Sequence, residues 1–108
     1  MSSWGPGLLE SVYEEILCFE LINEGLKVER QKALPIFWKN SKLDLGFRTD
    51  LIVENKVIIE IKSVIEIHPV YPKQLLTYLK LSGLKLGLLV NFNSPLIKTG
   101  ITRIVNKL

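Results

Sequence analysis

The chain has 108 residues, enough for one domain with its own core and too few for a separate recognition module. Its hydrophobic content of 47% is ordinary for a globular domain, and a net charge of +3 with Lys and Arg scattered along the chain excludes a basic tail of the kind that binds nucleic acid. No apolar run approaches the roughly 20 residues of a membrane helix, and the N-terminus lacks a charged segment followed by an apolar one, so a cytoplasmic protein without a membrane partner is expected.

Residues 8–23 read as a helix. Leu9, Val12, Tyr13, Ile16, Phe19 and Leu21 give it a broad apolar face. Gly5-Pro6-Gly7 breaks the chain before it, and Gly25 suits the position just past its end. Glu10, Glu14 and Glu15 sit in its N-terminal half, where the helix dipole favours acids. Glu14 and Glu15 read as a solvated stripe. Cys18 lies within the apolar pattern; as the only cysteine it excludes an intrachain disulfide and reads as a buried structural thiol.

Strands are predicted over residues 27–38, 43–53 and 56–64, with turn signals at Asn40-Ser41 and Glu54-Asn55. Pro72 suits the first turn of a second helix that runs to about residue 81 and stops at Gly83. Residues 86–91 form an apolar run without alternation, the pattern of a buried strand. The tail from 97 to 108 fits a strand or a helix. The order α-β-β-β-α-β predicts an α/β fold, a mixed sheet with helices packed on it.

The chemistry-bearing residues are Asp50, Glu60 and Lys62. They interrupt two runs rich in β-branched residues that otherwise read as buried strands. Side chains alternate along a strand, so Glu60 and Lys62 share a face. Charges among apolar strands are costly unless paired or bound to a metal. A loop of Glu54-Asn55-Lys56 pairs Val53 with Val57 and sets Asp50 opposite Glu60, whereas a loop of Asn55-Lys56 alone turns Asp50 to the other face. Two carboxylates about 5 Å apart at Cβ repel unless a proton or cation lies between them. The spacing equally suits a surface salt bridge from Lys62 to either acid, and leaves both readings open.

Asp50…Glu60-Ile61-Lys62 resembles the D…(D/E)xK signature of the PD-(D/E)XK phosphodiesterase superfamily, the restriction-endonuclease-like fold. Gly7…Glu10…Tyr13 resembles the GxxExxY motif of a small bacterial and archaeal family within it. Gln74…Tyr78 resembles the QxxxY motif that follows the catalytic hairpin in RecB-type exonucleases. The order of motifs also matches, and the resemblance spans essentially the whole chain. It implies a nuclease that uses Mg²⁺ or Mn²⁺. Metal ligands would be Asp50, Glu60, Glu10 and the Ile61 carbonyl, with Lys62 acting on the attacking water or the developing charge. Gln74 would bond a site carboxylate or a phosphate, supported by the Tyr78 hydroxyl. The substrate would be nucleic acid, DNA ahead of RNA.

Tyr71 stands where relatives carry a histidine and is expected to approach the site, leaving His68 as polar loop surface. Residues 1–4, ending in Trp4, stand where relatives carry a further helical stretch. The expectation is an apolar patch on the first helix and a two-fold homodimer formed through that helix and Trp4. Trp4, Phe37 and Trp38 suit base stacking or edge packing equally. The competing classes are a catalytically inactive nuclease-fold binding module and a structural domain whose polar hairpin is an ion-pair network.

Overall fold

The computed structural model describes residues 6–33, 36–43, 48–93 and 100–106. The first helix, α1 (Pro6–Asn23), ends where Gly25 takes the left-handed conformation at φ 86°. There the Leu26 N–H donates to the Leu21 carbonyl (3.2 Å) and the Gly25 N–H to the Ile22 carbonyl (2.9 Å), a Schellman pair that satisfies the last carbonyls of the helix. The expected apolar face divides in two. Tyr13, Leu17, Cys18 and Leu21 pack on the sheet, while Leu9, Val12, Ile16 and Phe19 are exposed. Cys18 is a buried free thiol, as expected.

The strand expected over 27–38 is two strands. β1 (Val28–Ala33) joins the main sheet, and β2 (Ile36–Trp38) pairs instead with β3 (Ser41–Leu43) in a separate hairpin. Leu34 and Pro35 lie outside the described residues; in the sequence, a proline between the two runs cannot donate to a ladder. The turn between β2 and β3 is Lys39-Asn40, one residue earlier than expected, with φ 51° and 64°. Positive φ at both central residues matches the twist of a tight hairpin. The strand expected over 43–53 divides likewise into β3 and β4 (Arg48–Val53).

β4 and β5 (Val57–Lys62) form the central hairpin, and Val53 pairs with Val57 across the three residues Glu54, Asn55 and Lys56. Glu54 and Asn55 both have positive φ (54° and 53°), and the Lys56 N–H closes the turn on the Val53 carbonyl at 3.0 Å. α2 (Val70–Ser82) starts earlier than Pro72 and ends at Gly83, φ 81°. It carries the chain over to β6 (Leu86–Asn91), which runs parallel to β5. The tail forms β7 (Ile101–Val105). The main sheet has the order β1-β4-β5-β6-β7, with all pairs but β5–β6 antiparallel. This is the α/β class expected, with the strands divided more finely.

Each face of the sheet has its own core. Leu51, Val53, Ile59, Ile61 and Val90 meet Cys18 on the α1 side. Ile58 and Leu89 meet Leu75 and Leu79 on the α2 side. Continuing the alternation past Ile58 puts Glu60 and Lys62 on the α2 side, and Asp50 with them across the hairpin.

α2 can lie this close only because β6 has Gly87. A Cβ built there would stand 2.9 Å from Leu75 Cγ, a branch point fully buried in the α2-side core. Gly87→Ala is therefore expected to destabilise the protein by about 1–3 kcal/mol through overpacking. Urea unfolding should show a lowered midpoint with an unchanged slope.

Candidate active site

Just past the α2-side core the sheet and α2 leave a cleft of about 230 Å³. Asp50, Glu60 and Lys62 reach it from the hairpin, Gln74, Tyr71 and Tyr78 from α2, and Glu10 from α1. Sequence reasoning singled out all seven. The Leu51–Ile59 pairing sets Asp50 across from Glu60, the outcome of the three-residue loop. Asp50 Oδ2 accepts from the Ile61 N–H at 2.8 Å, so its carboxylate sits over the backbone between Glu60 and Lys62. Ile61 itself is buried in the α1-side core.

Glu60 is the strained group. Its Oε1 is shut off from solvent and has no hydrogen-bond partner among the described residues. Burial first, and the adjacent Asp50 charge second, push its carboxyl up to about 9. At neutral pH the pair therefore shares a proton unless a cation replaces it. An enclosed, unpartnered carboxylate oxygen beside a second carboxylate fits a hard divalent cation. Among the described residues no third His, Cys, Asp or Glu is already drawn in to complete a ligand set. Glu10 lines the same cleft, but its Oε2 accepts from the Ser63 N–H at 3.1 Å.

Lys62 does not form the alternative ion pair. Among the described residues the ion pairs join Lys27 and Lys32 to Glu29 and Arg30 to Glu14. The Lys62 ammonium lies instead over the Tyr71 ring, 4.3 Å from its centroid. A cation held on an aromatic face keeps its N–H donors for another partner. Tyr71 thus stands at the site, and His68 does not line it; the His68 Nδ1 accepts from the Val70 N–H at 3.0 Å. Gln74 hydrogen-bonds the Tyr78 hydroxyl, which burial and the nearby Glu60 push up in pKa.

Some expectations are corrected. Glu15 is exposed as a solvated acid should be, but Glu14 is buried. Arg30 grips Glu14 Oε2 through Nε (3.2 Å) and Nη2 (3.0 Å), and the Gln31 amide donates to Oε1 at 2.7 Å. The available signal was spacing: Glu14 stands one turn before Cys18, on the inward face. Arg48 also lines the cleft and was missed, although it lies two residues before Asp50 and so on the same strand face. Tyr13, the last residue of the GxxExxY-like motif, stacks on Phe92 with centroids 4.5 Å apart. Phe37 and Trp38 are exposed on β2, and Trp4 lies outside the described residues.

The Glu60 shift sets a pH dependence. Its folded-state pKa of about 9 stands above the ordinary 4.5, so the folded state keeps a proton that the unfolded chain releases. Stability without metal should therefore fall as pH rises from 4.5 to about 9, and level off beyond. The slope is at most about 1.4 kcal/mol per pH unit. Glu60→Gln mimics the protonated acid and should lose this dependence, melting above wild type at pH 8 and near it at pH 4.5. Thermal melts in EDTA across that range check the sign.

A profile of the PD-(D/E)XK nuclease superfamily matches residues 1–104. No curated protein and no solved structure matches the chain. A match over nearly the whole length, on a mixed sheet whose central hairpin brings Asp50, Glu60 and Lys62 into one cleft, places this chain in the PD-(D/E)XK nuclease superfamily.

Proposed function

We propose that this chain is a metal-dependent phosphodiesterase that cleaves nucleic acid, and that within its superfamily it belongs with the GxxExxY proteins. The observation that carries the reading is the enclosed, unpartnered Glu60 Oε1 beside Asp50, with Lys62 held on the same face by Tyr71 rather than by an acid. Asp50, Glu60 and Glu10, with the Ile61 carbonyl, would hold Mg²⁺ or Mn²⁺. Such an ion supplies positive charge for the scissile phosphate and acidifies the attacking water. The residues of the chain do the rest. Lys62 donates to the water or to the phosphate oxygen that gains charge. Gln74 and the Tyr78 hydroxyl orient one edge of the phosphate, and the exposed Arg48 guanidinium binds a flanking one. DNA is the first substrate to test, ahead of RNA.

Purified protein should cut DNA or RNA substrates with Mg²⁺ or Mn²⁺ and stop when EDTA is added. Lys62→Ala should slow cleavage by about 100-fold or more with little change in melting temperature, because its ammonium makes no ion pair among the described residues and rests only on the half-buried Tyr71 ring. A wild type that binds no divalent metal and cuts no DNA or RNA substrate would replace the nuclease reading with that of an accessory binding module. A melted Lys62→Ala would favour a structural role for the hairpin.

The homodimer is proposed on the exposed side of α1. Leu9, Val12, Ile16, Phe19 and Ile22 are each 38–62% exposed and recur every three or four residues, an apolar stripe along one flank of the helix. A second copy of the stripe would cover it about a two-fold axis. Glu15 and Glu20 border the stripe and α1 has no Lys or Arg, so like charges approach in the pair. Association should therefore strengthen with salt. Light scattering at micromolar concentration should give a dimer mass that Phe19→Glu converts to monomer. A monomer mass that does not change with concentration or salt rules the dimer out.

A further inference from the structure

One residue of β1 has a backbone foreign to a strand. Gln31 has φ 50°. The pairing with β4 passes from Arg30–Leu51 to Lys32–Thr49 and skips Gln31, at the position opposite Asp50. A left-handed glutamine persists only where its surroundings hold it there. Arg48 Nη1 donates to the Gln31 carbonyl at 2.8 Å. The Gln31 amide nitrogen donates to Glu14 Oε1 at 2.7 Å, and Glu14 is itself buried and clamped by Arg30. The same nitrogen stands 3.4 Å from Asp50 Oδ1, a long contact.

We infer that Gln31 is a positioning residue for Asp50. The inference rests on the reading of Asp50 as a metal ligand. Besides its contact with Glu60, Asp50 then has the Ile61 N–H on Oδ2 and, at the longer distance, the Gln31 amide on Oδ1. Those two bonds fix the plane of the carboxylate and leave its remaining lone pairs toward Glu60. The donor has to be neutral. A Lys or Arg at this position would satisfy Asp50 with a full charge and repel an incoming cation, whereas an amide orients without neutralising. Glu14 and Arg30 act one step further out, by fixing the amide. Strand alternation alone would not let one amide meet both Glu14, which comes from α1, and Asp50, which faces α2. The left-handed turn at Gln31 does so, which accounts for its place opposite this aspartate.

The test is Mn²⁺ affinity of the full chain, read from the electron paramagnetic resonance of free Mn²⁺, beside melting temperature. Gln31→Met keeps the side-chain length and removes the amide; Gln31→Gly removes the amide and accepts the left-handed backbone freely. Both should weaken Mn²⁺ binding about 10-fold or more, and the loss should not track the two variants' different melting temperatures. Wild-type affinity in either folded variant overturns the inference. So does a loss confined to whichever variant melts lower, since that marks a structural role. If wild type itself binds no Mn²⁺, or binds it no better than Asp50→Ala, the metal reading fails and this inference with it.

Discussion

The register of one hairpin decides whether Asp50 shares a face with Glu60 and Lys62. Val53 pairs with Val57 because the turn takes three residues, two of them with positive φ. Shortening the turn by one would send Asp50 to the α1 side and leave Glu60 and Lys62 without it. Neither Glu54 nor Asn55 is a glycine, so the turn is held by its bonds. The Glu54 N–H donates to the Lys27 carbonyl (2.8 Å), and the Lys27 N–H donates to Glu54 Oε2 (2.6 Å). The strand next to the hairpin thereby locks the turn that sets the hairpin's register.

From that register follows an electrostatic tension that the rest of the fold sustains. Two carboxylates are pressed together at the edge of an apolar core, and one cannot ionise freely. The sheet bears this because the hydrophobic residues on both of its faces are tightly enclosed: Leu51 and Ile58 have no exposure at all. The end of the cleft is braced by backbone. Phe92 N–H donates to the Lys62 carbonyl at 2.9 Å, and Asn91 both accepts from and donates to the Val64 backbone (3.0 and 2.9 Å). The strand ends that carry the charged residues are thus fixed where β5 gives way to the loop before α2.

Much of this was legible in the sequence, for identifiable reasons. Glycines past both helices, the apolar run of β6 and the alternation through Glu60 and Lys62 are local signals, and each read correctly. The charged residues at the site stood out because they interrupt apolar strands. What was hidden depends on tertiary contact. Spacing puts Glu14 on the face of Cys18, but what holds a buried acid there is tertiary: Arg30 and Gln31 on a strand sixteen residues away. The inward face of α1 was misjudged for the same reason. Ile16 and Phe19 are as apolar as Leu17 and Leu21, and only the placement of the sheet separates them. Sequence periodicity likewise cannot reveal that β2 and β3 pair with each other in a second sheet.

The kink at Gln31 has an effect beyond the cleft. β1 is an edge of the main sheet, and an edge strand offers its unpaired N–H and C=O groups as a template for another chain. A regular six-residue edge would present an unbroken row. Here the row is broken in its middle by a residue turned left-handed, and the strand also carries Glu29 with its ion pairs to Lys27 and Lys32 (3.9 and 2.9 Å). Charges and a twisted backbone are the usual protections against sheet-to-sheet aggregation. The distortion that turns an amide toward Asp50 therefore also breaks the row of β1 backbone groups on which another chain could pair.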